Sequence, residues 1–331
     1  MFIVDSTALA IFFCVLTMLG WGSWANTQKL AGKDRWQFPL YYWDYAFGVF
    51  ALGILMMVTL GMIGMSGMSS FTNLSQSSPG PLEHAFLSGA LFNVSNILLV
   101  VAIDAAGMSV AFPVGVGLAL VIGTVASYLQ SPKGSGGLLF AGVGLVVCAM
   151  VFSAVAYSRL PQTGTRSWLR GVIYAVIAGC LMGLFYPVLS NSISPGFGTG
   201  TILPGYLTPY TALPLFGAGL LISNLLVNTV FMRTGGLSYA DYLAGTLRLH
   251  SLGFLGGLIW MLALSLNIVA SGLAVPAVSY ALGQGETLVA DVWGVFMRHE
   301  FRDAPRGTGK FVAAMFAAYA CGLCLIGLAA P

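Results

Sequence analysis

Residues 136–157 read GGLLFAGVGLVVCAMVFSAVAY, twenty-two positions without a charge, with Lys133 before them and Arg159 just after. About 20 apolar residues suffice for a helix to cross the roughly 30 Å hydrocarbon core of a bilayer. This stretch therefore predicts a membrane-spanning helix. Read outward from it, the same pattern recurs. Apolar runs at roughly 6–26, 42–64, 82–104, 108–129, 168–190, 209–231, 250–270, 275–297 and 309–329 bring the expected spans to ten. Polar breaks separate them. Lys29 to Arg35 holds four charges, Ser66 to Pro81 is a run of turn-forming residues, and Arg298 to Lys310 is dense in charge. The tightest connections, Asp104–Met108 and Ser271–Val275, imply helical hairpins.

The whole chain agrees with this reading. Of its 331 residues 58% are hydrophobic and only 7% charged. Its mean hydropathy is +0.90. Average soluble domains carry about 25% charged residues. So few charges cannot clothe a soluble surface, which excludes a cytosolic enzyme, a nucleic-acid binder and a disordered chain. The opening MFIVDSTALA has no positively charged lead-in, so the first apolar run is expected to be the first span and not a cleaved signal.

Positive charge sets orientation. With ten spans, the connections 1–2, 3–4, 5–6, 7–8 and 9–10 share one side. They hold Lys29, Lys33, Arg35, Arg159, Arg166, Arg170, Arg233, Arg248, Arg298, Arg302, Arg306 and Lys310, while the other side holds only Lys133. This bias predicts cytoplasmic basic loops, both termini extracytoplasmic, and an inner (plasma) membrane location. It also accounts for the basic balance without a nucleic-acid partner.

Cys14, Cys148, Cys180, Cys321 and Cys324 all fall within expected spans and read as packing residues. Cys321 and Cys324 have CxxC spacing but no second pair to complete a metal or redox site. No GxGxxG, Walker or HExxH pattern occurs. No cofactor, no metal and no enzymatic activity are expected. Among 43 glycines, Gly179/Gly183 and Gly253/Gly257 have the small-xxx-small spacing that lets helices approach closely inside a bundle.

An internal repeat is expected, with residues 1–162 and 163–331 as its halves. Gly20 and Gly183, and Pro113 and Pro276, each lie 163 residues apart, and Phe50-Ala-Leu-Gly53 answers to Phe216-Gly-Ala-Gly219 at an offset of 166. Five spans per half is an odd number, so the halves must be inverted. Inverted repeats are a signature of secondary transporters, whose substrate site lies near the midplane between the halves.

Certain short elements resemble a known family. They are Tyr42-Trp-Asp-Tyr45 opening the second span, Leu207-Thr-Pro-Tyr-Thr-Ala212 at the seventh, Val121-Ile-Gly-Thr124 with Tyr128 in the fourth, and Trp293-Gly294 followed by Glu300-Phe-Arg302 at the end of the ninth. Their order and spacing resemble the ureide permeases of the drug/metabolite transporter superfamily. Glucose/ribose porters and rhamnose–proton symporters are near neighbours. Plant ureide permeases carry a long cytoplasmic loop between the halves; here that stretch, Arg159 to Arg170, is short. The resemblance implies an all-α integral membrane fold of ten helices in two inverted five-helix repeats. It also implies proton-coupled import of allantoin-like ureides and nucleobases such as uracil.

Ionisable groups inside a span cost about 2.5–3.5 kcal/mol on insertion scales, so they mark function by default. Glu286, in the middle of the ninth span, is the expected proton carrier; a structural carboxyl bonded to a neighbouring helix is the bland reading. Asp291 lies five residues on and about 140° round a helix of 3.6 residues per turn, so the two acids do not form a pair. Asp291 is a second proton-coupling candidate, or the partner of a loop arginine. Asp104 reads as a hairpin cap, Glu83 and His84 as interface anchors, and His250 and His299 as solvated or headgroup-contacting groups.

The amides Asn93, Asn96, Asn224, Asn228 and Gln284 are candidate substrate ligands, since an amide offers the donor and acceptor that a ureide or nucleobase complements. Helix-to-helix bonds are the alternative for these five and for Asn267. Trp260 and Tyr280 are candidate stacking surfaces, with core packing as the alternative. Trp21, Trp24, Trp43, Asp44 and Tyr45 at one end, and Tyr186 and Tyr210 at the other, are candidate gates. For the aromatics among them an interfacial belt is the alternative; for Asp44 it is a favourable helix N-terminus. Pro113, Pro187 and Pro276 are candidate hinges. Together these predict a monomer or homodimer that imports a small polar substrate with protons through the bilayer. Proton-coupled sugar transport, metabolite or drug export or exchange, and a non-transporting scaffold or receptor are the alternatives.

Overall fold

The computed structural model describes residues 1–32, 35–64, 66–160 and 167–331. Lys33 and Arg166, expected in basic loops, and the division between 162 and 163 lie outside them. The described residues fold as fourteen α-helices: α1 (Thr7–Ser23), α2 (Ala25–Ala31), α3 (Phe38–Val58), α4 (Ser70–Gln76), α5 (Pro79–Ala106), α6 (Met108–Gln130), α7 (Gly136–Ser158), α8 (Trp168–Ser192), α9 (Pro209–Thr234), α10 (Tyr239–Leu243), α11 (Leu247–Ala274), α12 (Pro276–Gly283), α13 (Glu286–Val292) and α14 (Thr308–Leu328). A helix satisfies its own backbone, which is what hydrocarbon demands. Polar caps mark where the helices start. Ser6, Ser135 and Thr246 each accept from a backbone N–H three residues on. Thr208 and Thr211 form a reciprocal capping box before α9, and Pro79 and Pro209 occupy first helical positions, where a missing N–H costs nothing.

Nine helices among the described residues are long and apolar enough to cross a membrane, so the chain is an all-helical, multi-pass integral membrane protein. The first runs from Thr7 to Ala31 as α1 and α2 with a one-residue interruption at Trp24. Lys29, expected in a loop, therefore sits on a helix. The second ends at Val58, short of the expected 64, because residues 59–64 turn. The remaining expected span, 275–297, is helical but discontinuous: α12, then α13, then a π-helical turn over Trp293–Met297.

The packing order positions everything that follows. α5 packs on α8 and α9, α11 on α1 and α3, α3 on α9, α6 on α8 and α12, α13 on α1, and α7 on α14. Glycines permit the closest crossings. A methyl group at Gly89 would collide with the carbonyl of Phe216, at Gly219 with that of Phe86, at Gly48 with that of Phe254 and at Gly257 with that of Tyr45. Gly179, Gly183 and Gly253 are likewise packed against neighbouring helices, so the small-xxx-small pairs serve the bundle's interior.

Candidate functional site

The break in the ninth expected span creates the site. Gln284-Gly285 interrupts the helix directly after Gly283, and glycine is about 1 kcal/mol worse than alanine in a helix interior. Packing explains why glycines stand there. A side chain at Gly283 would meet the Trp21 ring and the Asn267 amide, and one at Gly285 would meet the ends of Met18 and Leu323. Glu286 therefore opens α13, whereas a continuous helix would have carried it at its middle. The break turns Gln284, Glu286 and Thr287 onto the wall of a chamber of about 120 Å³.

Six aromatic residues, Trp21, Trp24, Phe92, Phe112, Phe185 and Trp260, also line that chamber. Trp260, buried on α11, stacks on Trp21 at 5.8 Å, on Phe92 at 4.1 Å and on Phe216 at 5.7 Å between ring centres. Phe185 stands at 6.5 Å and Tyr45 at 6.4 Å. The Trp21 indole N–H donates to the Trp260 carbonyl at 3.2 Å, fixing α1 to α11. Asn96 enters the wall from α5, and its amide N–H donates to the Tyr42 hydroxyl at 3.2 Å. The Gln284 carbonyl oxygen is buried without a partner among the described residues. Half-buried Glu286 has none there either, and among the described residues it is the only acidic or basic one lining the chamber.

The chamber opens past Trp24, Asn96, Phe112, Thr287 and Ala290 into a vestibule of about 740 Å³. Lys29, Asp104, Asp291 and Arg298 line it. Asp291 accepts from the Ser153 hydroxyl at 3.0 Å. Arg298 pairs with Glu300 at 2.8 Å, and Tyr157 donates to the same carboxylate at 2.8 Å. The opposite end of the bundle is laced by hydrogen bonds. Asn73 donates to the Tyr206 carbonyl at 2.9 Å and accepts from the Thr208 N–H at 2.9 Å and from the Thr211 hydroxyl. Tyr210 donates to the Phe2 carbonyl at 3.0 Å. Deeper on that side, Tyr186 bonds Ser279 at 2.8 Å, and the Asn267 amide donates to the Ser279 carbonyl at 2.7 Å.

The structure thus gathers some of the expected site residues and disperses others. Glu286, Gln284, Asn96 and Trp260 meet in the chamber, and Asp291 lies apart from Glu286 in the vestibule. Tyr280 does not line the chamber; its hydroxyl donates to the Ala119 carbonyl at 3.1 Å beneath the Tyr186 ring. Asn93 donates to Ser223, and Asn228 to the Pro39 carbonyl. Asn224 is buried with neither amide atom partnered among the described residues. These three sit on helices α5 and α9 and do not line the chamber or the vestibule.

The expected inner gate divides too. Trp21 and Trp24 line the chamber and Tyr45 packs on Trp24, but Trp43 faces Tyr239 instead. Asp44 is turned away from the chamber. It accepts from Tyr242 at 2.7 Å and from His250 at 2.9 Å, so His250 is an intramolecular partner and not a solvated group. Burial, then the bond to Asp44, pushes the Tyr242 hydroxyl well above its ordinary range. Pro276 starts α12, and the break lies eight residues later at Gln284. Pro113 and Pro187 are inside α6 and α8. Phe92, Phe185, Met182 and Thr287 also line the chamber and were not singled out from the sequence. The glycines flanking Gln284 were the available signal for Thr287.

No family model matches the chain. Over 173 residues, 52% of the chain, it is 25% identical to Ureide permease 3 of Arabidopsis thaliana, and the match spans about half of that relative's length. A crystal structure described only as that of a protein shares the fold, with a TM-score of 0.59, 14% identity, and coverage of 97% of this chain and 98% of the other. The many apolar helices and the permease among the chain's relatives together support a membrane transporter.

Proposed function

We propose that the protein is a proton-coupled importer of a small flat metabolite, a ureide or nucleobase of the allantoin or uracil kind, working by alternating access. The observation that carries this is the chamber: a carboxylate unpartnered among the described residues and two amide side chains set among stacked aromatic rings, next to a vestibule at one end of the bundle, with the other end laced by hydrogen bonds. A flat heterocycle stacks on Trp260 and its neighbours. Asn96 and Gln284 supply complementary polar atoms. Glu286 takes up and releases the coupling proton. The relative's being a ureide permease favours this substrate class. Trp faces also suit a sugar ring, which keeps proton-coupled sugar transport as the second reading.

The architecture is that of ten helices in two inverted five-helix repeats, α1, α3, α5, α6 and α7 against α8, α9, α11, α12–α13 and α14. The packing supports it. Exchanging each helix with its counterpart turns α5–α8 into α11–α1, α6–α8 into the α12–α13 contact with α1, and α3–α11 into α9–α5, and all of these pairs occur. The exchange also turns α3–α9, α6–α12 and α7–α14 into themselves. The open vestibule lies on the end of Lys29 and Arg298, which the charge bias assigns to the cytoplasm, so this is an inward-facing form.

The test is uptake into proteoliposomes under an inward proton gradient, with labelled allantoin and uracil beside glucose and rhamnose. Gradient-driven accumulation of the first pair supports the reading. Accumulation of a sugar alone moves the protein to the second reading. Uptake that ignores the gradient removes proton coupling.

A further inference from the structure

Among the buried asparagines of α5 and α9, Asn96 is the one that lines the chamber. The amide oxygens of Asn93, Asn224 and Asn228 are sealed in the interior without a partner among the described residues, whereas neither polar atom of Asn96 is closed off in this way. One Asn96 N–H donates to the Tyr42 hydroxyl at 3.2 Å. Its oxygen and its second N–H have no bonded partner among the described residues. Tyr42 lines neither the chamber nor the vestibule. Its fully buried ring stacks on Phe38 at 4.9 Å and on Tyr45 at 5.1 Å between ring centres, and Tyr45 in turn packs on Trp24 and Trp260. A hydroxyl on a ring held in this way is a fixed point. The bond is not what keeps the two helices in place, because α5 is packed on α8 and α9, and α3 on α9 and α11. What it fixes is the rotation of the Asn96 amide.

A fixed amide with one oxygen and one N–H to spare reads two points at once: it accepts from an N–H and donates to a C=O. The matching edge is that of a lactam, a ring in which N–H and C=O stand side by side. Phe92, one turn back on the same face of α5, stacks on Trp260 at 4.1 Å. The amide therefore stands beside the aromatic wall, where it meets the edge of a ring laid against that wall. An amide free to turn would lose this advantage, since ordering it on binding costs free energy that a preset group has already spent. We infer that Tyr42 is a positioning residue: it presets Asn96 to read the lactam edge of the substrate, so that the chamber prefers rings with adjacent N–H and C=O groups to rings in which that edge is blocked. This inference rests on the chamber being the substrate site.

A matched pair of neutral probes tests it: 2-pyridone, a single flat lactam ring, and N-methyl-2-pyridone, the same ring with its edge blocked, each titrated calorimetrically into the purified full-length protein. Wild type binds 2-pyridone about tenfold or more tightly than the N-methyl form, the discrimination expected of a two-point amide contact. Tyr42→Phe keeps the ring and its stacking and removes the hydroxyl. It should lose most of that preference through weaker binding of 2-pyridone, with N-methyl-2-pyridone unaffected and an unfolding temperature near that of wild type showing that the variant is folded. Asn96→Ala loses the preference as well, and Tyr42→Phe added to Asn96→Ala changes neither affinity further, as expected of two residues acting through one contact. A Tyr42 that only supports the structure would weaken both probes, with or without Asn96. The inference is overturned if wild type fails to bind 2-pyridone or shows no preference for it, if Tyr42→Phe retains the preference or weakens both probes alike, or if the double variant loses more than Asn96→Ala. Failure of the transport reading is separate: allantoin and uracil uptake can be absent while the lactam preference and its dependence on Tyr42 stand, and present while Tyr42→Phe leaves the preference intact.

Discussion

α6 and the α12–α13 pair are counterparts under the proposed repeat, and they have taken opposite courses. α6 is one helix of 23 residues with Pro113 inside it. Its counterpart begins with Pro276 and breaks after Gly283. At the 163-residue offset the four positions Gly283-Gln284-Gly285-Glu286 answer to Leu120-Val121-Ile122-Gly123. One half fills this level with apolar side chains and remains continuous. The other places two glycines, an amide and an acid there, and the helix parts. Polar groups do not vanish from α6; Thr124 and Ser127 are buried with hydroxyls unpartnered among the described residues. The lesson is that a repeated scaffold becomes a site where one copy gives up helical continuity.

The largest effect should come from the acid itself. Glu286→Gln is expected to reduce gradient-driven accumulation to the level of empty liposomes while counterflow exchange persists. Accumulation that survives would make the contrast between the two helices irrelevant to coupling. Next comes the contact between the counterparts. A methyl group at Gly123 would collide with the Tyr280 ring and crowd the Gly183 carbonyl at 2.9 Å. Gly123→Ala should therefore destabilise the protein by about 1–3 kcal/mol, as overpacking does, seen as a lower unfolding temperature in detergent. An unchanged unfolding temperature would mean that α6 and α12 are free to part.

A smaller effect is expected from mending the break. Gly285→Ala gains about 1 kcal/mol of helix propensity but pushes on the flexible ends of Met18 and Leu323 and crowds the Leu282 carbonyl at 2.9 Å. Stability should change little, whereas the uptake rate should fall as Glu286 is drawn toward a continuous helix. Smallest of all is Thr124→Val. It replaces an unpartnered buried hydroxyl by a methyl group of similar size, and removal of such a group should stabilise by about 1 kcal/mol, again read by thermal unfolding. A loss of stability would show that the hydroxyl has a partner.

Much of this was legible in the sequence, for a physical reason. Hydrocarbon forces long uncharged helices, so the runs that became α3, α5, α7, α8, α9, α11 and α14 stand out from residue type alone. Glu286, Gln284, Asn96 and Trp260 were legible as candidates because a polar or bulky amphipathic group in a span must face something other than lipid. Which face it takes was not legible. Tyr280 and Asn93 are as central as Asn96, but the angle at which neighbouring helices cross decides that they bond to Ala119 and Ser223 and stay off the chamber wall. The broken ninth span was hidden because Gly283 and Gly285 are common residues in a chain with 43 glycines, and only the crowding by Trp21, Met18 and Leu323 gives these two their effect. The bonds of Asp44 were hidden for a related reason. Its partners, Tyr242 and His250, lie about 200 residues away and no local pattern announces them.

The glycine contacts between helices have a mechanical consequence. Where Gly89 meets the Phe216 carbonyl and Gly219 that of Phe86, α5 and α9 touch backbone to backbone; Gly48 and Gly257 do the same for α3 and α11. At those crossing points no side chain stands between the two backbones to yield, so they behave as welds. The seams around Trp260 are different, being made of rings that can slide and tilt over one another. A rocking motion that carries a substrate across should therefore treat the welded pairs as stiff plates and spend its displacement along the aromatic seam, making Trp260 the bearing of the machine as well as part of its pocket.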